Sequence, residues 1–583
     1  MSRKPEAVTR RQLIAGAGAA TASLGVMALS SCDARTGHPW DHETDIVVVG
    51  SGVGAATAAL AAHENGDAVL LVEKAPTVGG TSAKSAGVLW IPDNFTLRAK
   101  GIEDRKADCL EYMARFAYPE RYSARGPNLG LSAGEFDLLE AFYDNAADAV
   151  DLLRATGALN LAEWRMFQLD RSATDYLDHV PENKVPAGRA LGPVTADGGI
   201  GLGVHMMEQL HSALQARGLP VFLEHRVVRL VLDAAGRAVG VEAETAGGAV
   251  AFRARKAVIF ATGGYVHNPA FVTKYQRNRL YGSCASPMAT GDFINIAGAA
   301  GARLGNMSGA WRTQIVLEEA LVSSELASGV FFPPGDSMLQ VNRHGVRAVN
   351  EHRNYNDRTE VHGVYDPSAA EYPNQLMFMI YDQRTAEAFG GAYPLPEQSS
   401  GSPLVLEGAT LDALAARIEA RLGEIAAQTG EFSLASSFAA NLKTTIDRYN
   451  DFARAGIDED FQRGAAGYDR EWYAVFSPLQ ADAGWPANEN PSINMHPFRD
   501  AGPYYAIMLA AGALDTNGGP AIDAGAHILD TDDKPIPGLY GAGNCIASPT
   551  REAYFGAGHT LAMSLTFGYI AANAAHGEPR DSA

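Results

Sequence analysis

Ile46-Val47-Val48-Val49 is a run of four β-branched apolar residues with no polar break, the pattern of a strand buried on both faces. Gly50-Ser51-Gly52-Val53-Gly54-Ala55 ends it, and the Ala-rich stretch from Ala55 to His63 has strong helix propensity. A second apolar run, Ala68 to Val72, stops at Glu73. The spacing predicts strand, glycine turn, helix, strand, with an acid at the tip of the second strand.

Further along, the period changes several times. Between 104 and 160 the chain reads as helical, with Phe136, Leu139, Phe142, Ala146, Ala149, Val150 and Leu153 on one core-facing side. A polar stretch with Pro and Gly carries Tyr176 to Glu182, and Gly201 to Ala216 is helical again. Val221 to Val231 and Val239 to Glu242 read as strands about a turn at Ala234-Ala235-Gly236. Ala257 to Phe260 is a buried strand running into Ala261-Thr262-Gly263-Gly264, and Thr290-Gly291-Asp292 leads into a helix through Ala302. From about 311 to 511 the chain is richer in aromatics and Pro and lacks such glycine turns. Here Val341 to Glu351 reads as strand-turn-strand, Leu411 to Gln428 and Phe438 to Phe452 as helices, and Gly390 to Gly408, broken by three prolines, as a surface loop. Glycine turns then return: Gly538 to Gly541 is a strand entering Gly543-Asn544, and Gly556-Ala557-Gly558-His559-Thr560-Leu561 opens a closing helix that runs to Ala575.

With 583 residues, 46% hydrophobic and 20% charged, the chain is long enough for two or three lobes of an ordinary globular protein. A formal charge of −20, with no basic tract, argues against nucleic acid and anionic membrane partners. Residues 1–32 read as a targeting segment to be set apart from the fold. Thr9-Arg10-Arg11-Gln12-Leu13-Ile14 resembles a twin-arginine signal, and Leu29-Ser30-Ser31-Cys32 resembles a lipobox whose Cys is acylated. The expectation is export to the periplasm or cell envelope, with Cys32 as a candidate lipid anchor; a simple cleaved signal with an incidental Cys is the plainer alternative. Cys109, Cys284 and Cys545 are odd in number and far apart, and no CxxC or CxxCH is present, so the sequence offers no zinc, iron–sulfur or c-type haem motif.

The GxGxxA turn is where the chemistry starts. Gly50, Gly52 and Gly54, with Ser51 and Ala55, permit a tight turn and let backbone N–H groups approach a pyrophosphate at a helix N-terminus. Glu73 stands where a carboxylate accepts from ribose hydroxyls. Strand, helix, second strand and acid together indicate dinucleotide binding, where the glycines alone would not.

The next residues, Lys74-Ala75-Pro76-Thr77-Val78-Gly79-Gly80-Thr81-Ser82, resemble the Gly-Gly-Thr-Ser loop of the fumarate reductase/3-ketosteroid dehydrogenase flavoproteins, in which it wraps FAD. The resemblance implies FAD rather than NAD. It implies an α/β fold: a Rossmann-like FAD-binding domain in two parts, 41–310 and 512–577, with an inserted α+β substrate (capping) domain over 311–511. Lys74, Gly80, Thr81 and Ser82 would hold the cofactor, and Ser85 and Gly87 would lead toward the flavin ring, with Trp90 packed either on the cofactor or in the core. Val227 sits where related flavoproteins offer backbone groups to adenine. Ala261, Thr262, Gly263, Asp292, Gly543 and Asn544 supply further approaches, and Thr560 and Leu561 open a helix whose N-terminus faces the pyrimidine end.

Tyr554-Phe555-Gly556-Ala557-Gly558 resembles the Tyr-Pro-Gly-Pro-Gly segment of 3-ketosteroid Δ1-dehydrogenases, departing from it at Phe555 and Ala557. Asn350-Glu351 with Tyr355, and more loosely Tyr176 to Glu182, match the same family. The resemblance implies desaturation of a 3-oxosteroid between C1 and C2. Tyr554 and the Gly558 amide would donate to the ketone oxygen and Tyr355 would take the α-proton, its phenol lowered in pKa or relayed through Tyr176 or His179, while hydride passes to N5 of FAD. Arg551 reads as a surface or flavin-side ion partner. The implied partners are a small apolar ketone and an electron acceptor such as a quinone. Rival readings are a fumarate or urocanate reductase, whose anionic substrate needs an arginine clamp, a Δ4-desaturating ketosteroid enzyme, an enzyme of smaller cyclic ketones, and a flavin carrier without turnover.

Overall fold

The computed structural model describes residues 39–166, 171–475 and 488–580. The expected targeting segment and Cys32 lie outside the described residues. Ile46–Val49 ends the strand His42–Val49, whose last six residues are buried. It pairs in parallel with Val69–Val72 on one side and with Gly248–Phe260 on the other. Val221–Phe222 and Pro535–Gly541 extend the parallel sheet outward from those two strands. A sheet of this kind needs cover on both faces. Part of that cover is a helix pair, Val53–Glu64 against His559–His576, packed so closely that a Cβ on Gly568 would lie 2.3 Å from the Gly54 carbonyl oxygen. The helix His559–His576 thus closes on Val53–Glu64, bringing segments distant in sequence together against the same strands.

Gly248–Phe260 starts well before the apolar run that marked it. Its first half belongs to an antiparallel ribbon with Arg226–Leu232 and Ala238–Thr245, where half-exposed positions blunt the apolar signal.

A second sheet turns about the thirteen-residue strand Tyr504–Thr516. Leu376–Asp382, Ala310–Val316 and Leu406–Gly408 pair with it antiparallel, and Gly282–Ser283 pairs with it in parallel. Leu411–Glu424 and Phe438–Ala455 bury their apolar sides in the core beneath this sheet. The domain boundaries expected at 310/311 and 511/512 therefore fall inside strands. Tyr504 to Leu514 carries no charged residue, and nothing in that stretch marks where the partners of the strand change.

Three local expectations are corrected. Val341 to Glu351 is not strand-turn-strand: Met338–Val341 is a strand, but its return is a single bridge from Val341 to Arg347. The residues beyond it serve as ties instead, with Glu351 fully buried between Arg347 and Arg463. The helix expected over Leu411 to Gln428 breaks at Ile425. Gly390 to Gly408 is loop up to the short strand Leu406–Gly408 and partly exposed, but it is anchored in the fold, for Ala392, Leu395 and Val405 are buried and Ser399 bonds Tyr381 at 2.9 Å. No helix among the described residues is long and apolar enough to cross a membrane.

Candidate active site

One cavity of about 310 Å³ runs from the first glycine turn to a chamber walled by aromatic side chains. Gly50, at φ +114°, lies so near the neighbouring strand end that a Cβ would meet the Ala261 oxygen at 2.3 Å. Beyond Gly52 the helix starts with no side-chain N-cap, leaving backbone donors at a positive helix end. Ser51 Oγ donates to Glu73 at 2.6 Å and accepts from the Gly79 amide at 3.0 Å; Ser82 Oγ accepts from the Val53 amide at 3.1 Å. These bonds fasten the Gly-Gly-Thr-Ser loop to the glycine turn. Lys74 Nζ bonds Asp292 at 2.8 Å and Thr290 at 2.6 Å, and Arg226 reaches the same carboxylate at 2.8 Å, which holds the Asp292 carboxyl below its ordinary range despite burial. Cradle, helix end, carboxylate and cavity length together fit FAD.

Every cofactor candidate read from the sequence lines this cavity except Ala55. Ala55 is buried in the core, because one residue past the turn the helix has already rotated it away from the opening. Trp90 is likewise a core residue: its ring is buried, lies parallel to Phe142 and donates through Nε1 to Asp175 at 2.8 Å.

At the chamber end three tyrosines from distant parts of the chain meet. Tyr355 opens the short helix Tyr355–Thr359, capped by the Asn354 side chain on the Asp357 amide. Tyr176 is set by its amide, which donates to the Phe555 carbonyl at 3.0 Å. Tyr176 Oη donates to Tyr355 Oη at 3.1 Å, and the Tyr554 ring lies 5.3 Å from Tyr176 and 5.5 Å from Tyr355. Gly558, at φ +88°, caps the closing helix; a Cβ there would fall 2.2 Å from the Val88 carbonyl, so only glycine lets its amide sit at this point. Burial pushes all three phenols above the ordinary tyrosine range. Hydrogen bonds with Tyr355, Thr560 and the Gly558 amide pull Tyr554 partly back, whereas Tyr355 gains nothing from its two tyrosine neighbours. The expected lowering of the Tyr355 pKa is thus not found in the protein alone, and relay through a hydrogen-bonded phenol is the route the geometry offers.

Of the two proposed relay partners, Tyr176 is in contact and His179 is not. His179 is exposed on the surface, 3.6 Å from Asp178 and away from the cavity. Arg551 is also a surface residue, paired with Glu120 at 2.6 Å.

Sequence reasoning missed the chamber wall: Trp164, Trp311, Phe331, Phe332 and Trp472. Isolated aromatics carry no motif, and each reads equally well as core. Trp472 stacks on Phe332 at 4.5 Å and on Trp164 at 5.5 Å, while Trp311 sets its edge against Tyr554 and donates from Nε1 to Asn544 at 3.0 Å. Asn544 in turn donates to Asp515 at 3.2 Å, a buried carboxyl pushed up to about 6 by desolvation. Among the described residues no arginine lines the cavity.

Fold and site define a flavoprotein, and the comparisons agree. Residues 45–561 match the FAD binding domain family, and the chain belongs to it. The protein is an FAD-dependent oxidoreductase. It is 32% identical to a 4-oxocyclohexanecarboxylate 2-dehydrogenase of Sinomonas cyclohexanicum, over 92% of this chain and 93% of that one. It is 31% identical to a 3-oxosteroid 1-dehydrogenase of Mycobacterium tuberculosis, over 91% and 98%. Among solved structures it resembles a 3-ketosteroid delta1-dehydrogenase from Sterolibacterium denitrificans in complex with 1,4-androstadiene-3,17-dione, with a TM-score of 0.75, 26% identity, and 92% and 99% of the two chains covered.

Proposed function

We propose that this protein removes two hydrogens from the carbon–carbon bond beside a ring ketone, with a 3-oxosteroid desaturated at C1–C2 as the substrate. The observation that carries the reading is the meeting of Tyr176, Tyr355, Tyr554 and Gly558 at the end of the cofactor cavity. Bound FAD supplies the two-electron oxidant; Ser51, Ser82, Glu73 and the Gly50–Gly54 turn would hold it. Tyr554 Oη and the Gly558 amide would donate to the ketone oxygen, making the α-hydrogen more acidic by favouring the enolate. Tyr355 Oη would accept that proton while its own passes to Tyr176, which serves as the relay once it has lost its hydroxyl proton to solvent and stands as the phenolate. The aromatic wall excludes water, which strengthens these donors.

The absence of arginine from the described lining speaks against a dicarboxylate substrate, which would call for a bidentate clamp. It also ranks a neutral polycyclic ketone above a small oxo-acid of the kind named for the Sinomonas relative. The two lysines on the lining are already engaged, Lys74 by Asp292 and Lys84 by the Ala285 carbonyl at 3.0 Å. Anaerobic mixing with 4-androstene-3,17-dione tests the reading: flavin bleaching with formation of a 1,4-dien-3-one is expected. Bleaching by 4-oxocyclohexanecarboxylate alone, or fumarate reduction by the dye-reduced protein, would replace it.

The same proposal includes export by the twin-arginine path, acylation at Cys32 and a quinone acceptor. Arg10-Arg11 and the Leu-Ser-Ser-Cys sequence support the first two. Labelled palmitate incorporated by the native chain and lost in Cys32→Ala is the expected result; unlabelled native protein would remove the anchor.

A further inference from the structure

Arg189 is fully buried, lies outside every motif read from the sequence, and holds together segments that carry the tyrosines. Its guanidinium forks onto Asp104, with Nε and Nη2 each 2.7 Å from a carboxylate oxygen. Nη1 donates to Asp175 and, at 3.0 Å, to Asn183 Oδ1. Asp175 precedes Tyr176 and also accepts from Trp90 Nε1 and, at 3.1 Å, from Asn183 Nδ2. The tie reaches the donor loop as well. A Cβ on Gly556 would lie 2.5 Å from the Trp90 ring and 3.1 Å from Asp175 Oδ1, and the Tyr176 amide is bonded to Phe555, whose carbonyl also accepts from Tyr112 Oη at 2.7 Å.

An ion cluster of this kind is a poor source of stability, since removing charges from water offsets much of their attraction. What it supplies is a fixed geometry. The planar fork has one arrangement in which Asp104 and Asp175 are both satisfied, and that arrangement sets where the backbone of residue 176 leaves the core.

We propose that Arg189 is a positioning residue: through Asp175 and Trp90 it fixes the Tyr176 phenol against Tyr355 and the 554–558 loop against both. Arg189 touches neither the cavity nor the reacting atoms. The inference rests on the ketone dehydrogenation proposed above, and its test separates the two.

Arg189→Lys keeps the charge but loses the fork. In the FAD-loaded enzyme we expect kcat per bound flavin to fall at least 10-fold and KM to change less than 3-fold. Flavin occupancy should stay near native, and the product 1,4-dien-3-one should still perturb the flavin spectrum on binding. Should Arg189→Lys not fold, Asp175→Asn, which keeps size and shape, decides by the same measurements. Native kcat per bound flavin in the folded variant, or a loss of kcat matched by lost product binding, overturns the positioning role. If the native protein itself is not bleached by the ketone, the function fails instead, and Arg189 is then judged by whether the variant alters the tyrosine ultraviolet titration; an unchanged titration overturns it.

Discussion

Replacing Tyr554 with Phe removes one hydroxyl and leaves everything the ring does for packing. The ring sits 5.3 Å from Tyr176, 5.5 Å from Tyr355 and 5.6 Å from Trp311, and none of these contacts needs the oxygen. The hydroxyl is buried, and of its partners Tyr355 keeps its bond with Tyr176. Loss of a neutral hydrogen bond costs about 1 kcal/mol of stability, so the variant should fold, carry FAD and show a nearly native melting temperature. The rate is another matter. A preorganised donor aimed at a developing oxyanion contributes about 2.7–4 kcal/mol, or 10²–10³ in turnover, and the remaining Gly558 amide cannot replace it because its backbone is pinned against Val88. Stopped-flow reduction of the oxidised flavin by 4-androstene-3,17-dione measures the step directly. A reduction rate within about 3-fold of native, with flavin fully bound, would show that the ketone oxygen does not rest on this phenol.

Tyr355→Phe should lose about 10²-fold or more in flavin reduction, as expected for removal of a general base, and uptake of solvent deuterium at the α-carbon should vanish with it; exchange at native rates would assign the base elsewhere. Gly558→Ala should be worse folded than either tyrosine variant and inactive, since the added methyl meets the Val88 carbonyl at 2.2 Å in a backbone region that L-residues avoid; a normal melting temperature with normal turnover would contradict the packing. His362 is fully buried and its pKa is lowered from 6.5 to about 4. A depressed group contributes stability that is present above pH 6.5 and is lost as pH falls toward 4, here about 3 kcal/mol. Denaturant midpoints measured from pH 7 to 4 should therefore fall, and His362→Gln, which keeps a polar contact to Gln314, should flatten part of that slope.

The cofactor half of the site was legible because its chemistry is local. Gly50 to Ala55, Glu73 and Gly79 to Ser82 lie within one short stretch of chain, and Gly50, Gly54 and Gly79 are each demanded by a close approach that a side chain would block. The proposed catalytic half was reached only through resemblance. Tyr176, Tyr355 and Tyr554 have no short-range spacing to betray them, and a phenol in an apolar setting reads as core until the fold brings three together. The aromatic wall left no trace, because Trp164 and Trp472 have the composition of any buried surface. The expected domain boundaries cut strands for a related reason: Tyr504 to Leu514 carries no charged residue, and the strand serves several partners in succession. Ala55, the one cofactor candidate off the cavity, shows the limit of reading a motif as a list, for its place in the GxGxxA pattern serves helix packing.

The choice of tyrosines also bears on what the site excludes. A buried guanidinium near the oxidant would bind an anion and favour its reduction; three neutral phenols and an amide do neither. They polarise a carbonyl without committing a fixed charge, so the enolate is favoured only while the oxygen is gripped. Their raised pKa values mean that none of them is a standing base near neutrality. Proton removal must then gain its driving force from the ketone's own acidification and from transfer along Tyr355 and Tyr176. It follows that turnover should rise with pH through the alkaline range, up to the onset of unfolding, and that Tyr176→Phe should blunt that rise while leaving ketone binding intact. A pH-independent rate in the native enzyme would mean the proton leaves by a path that does not pass through these phenols.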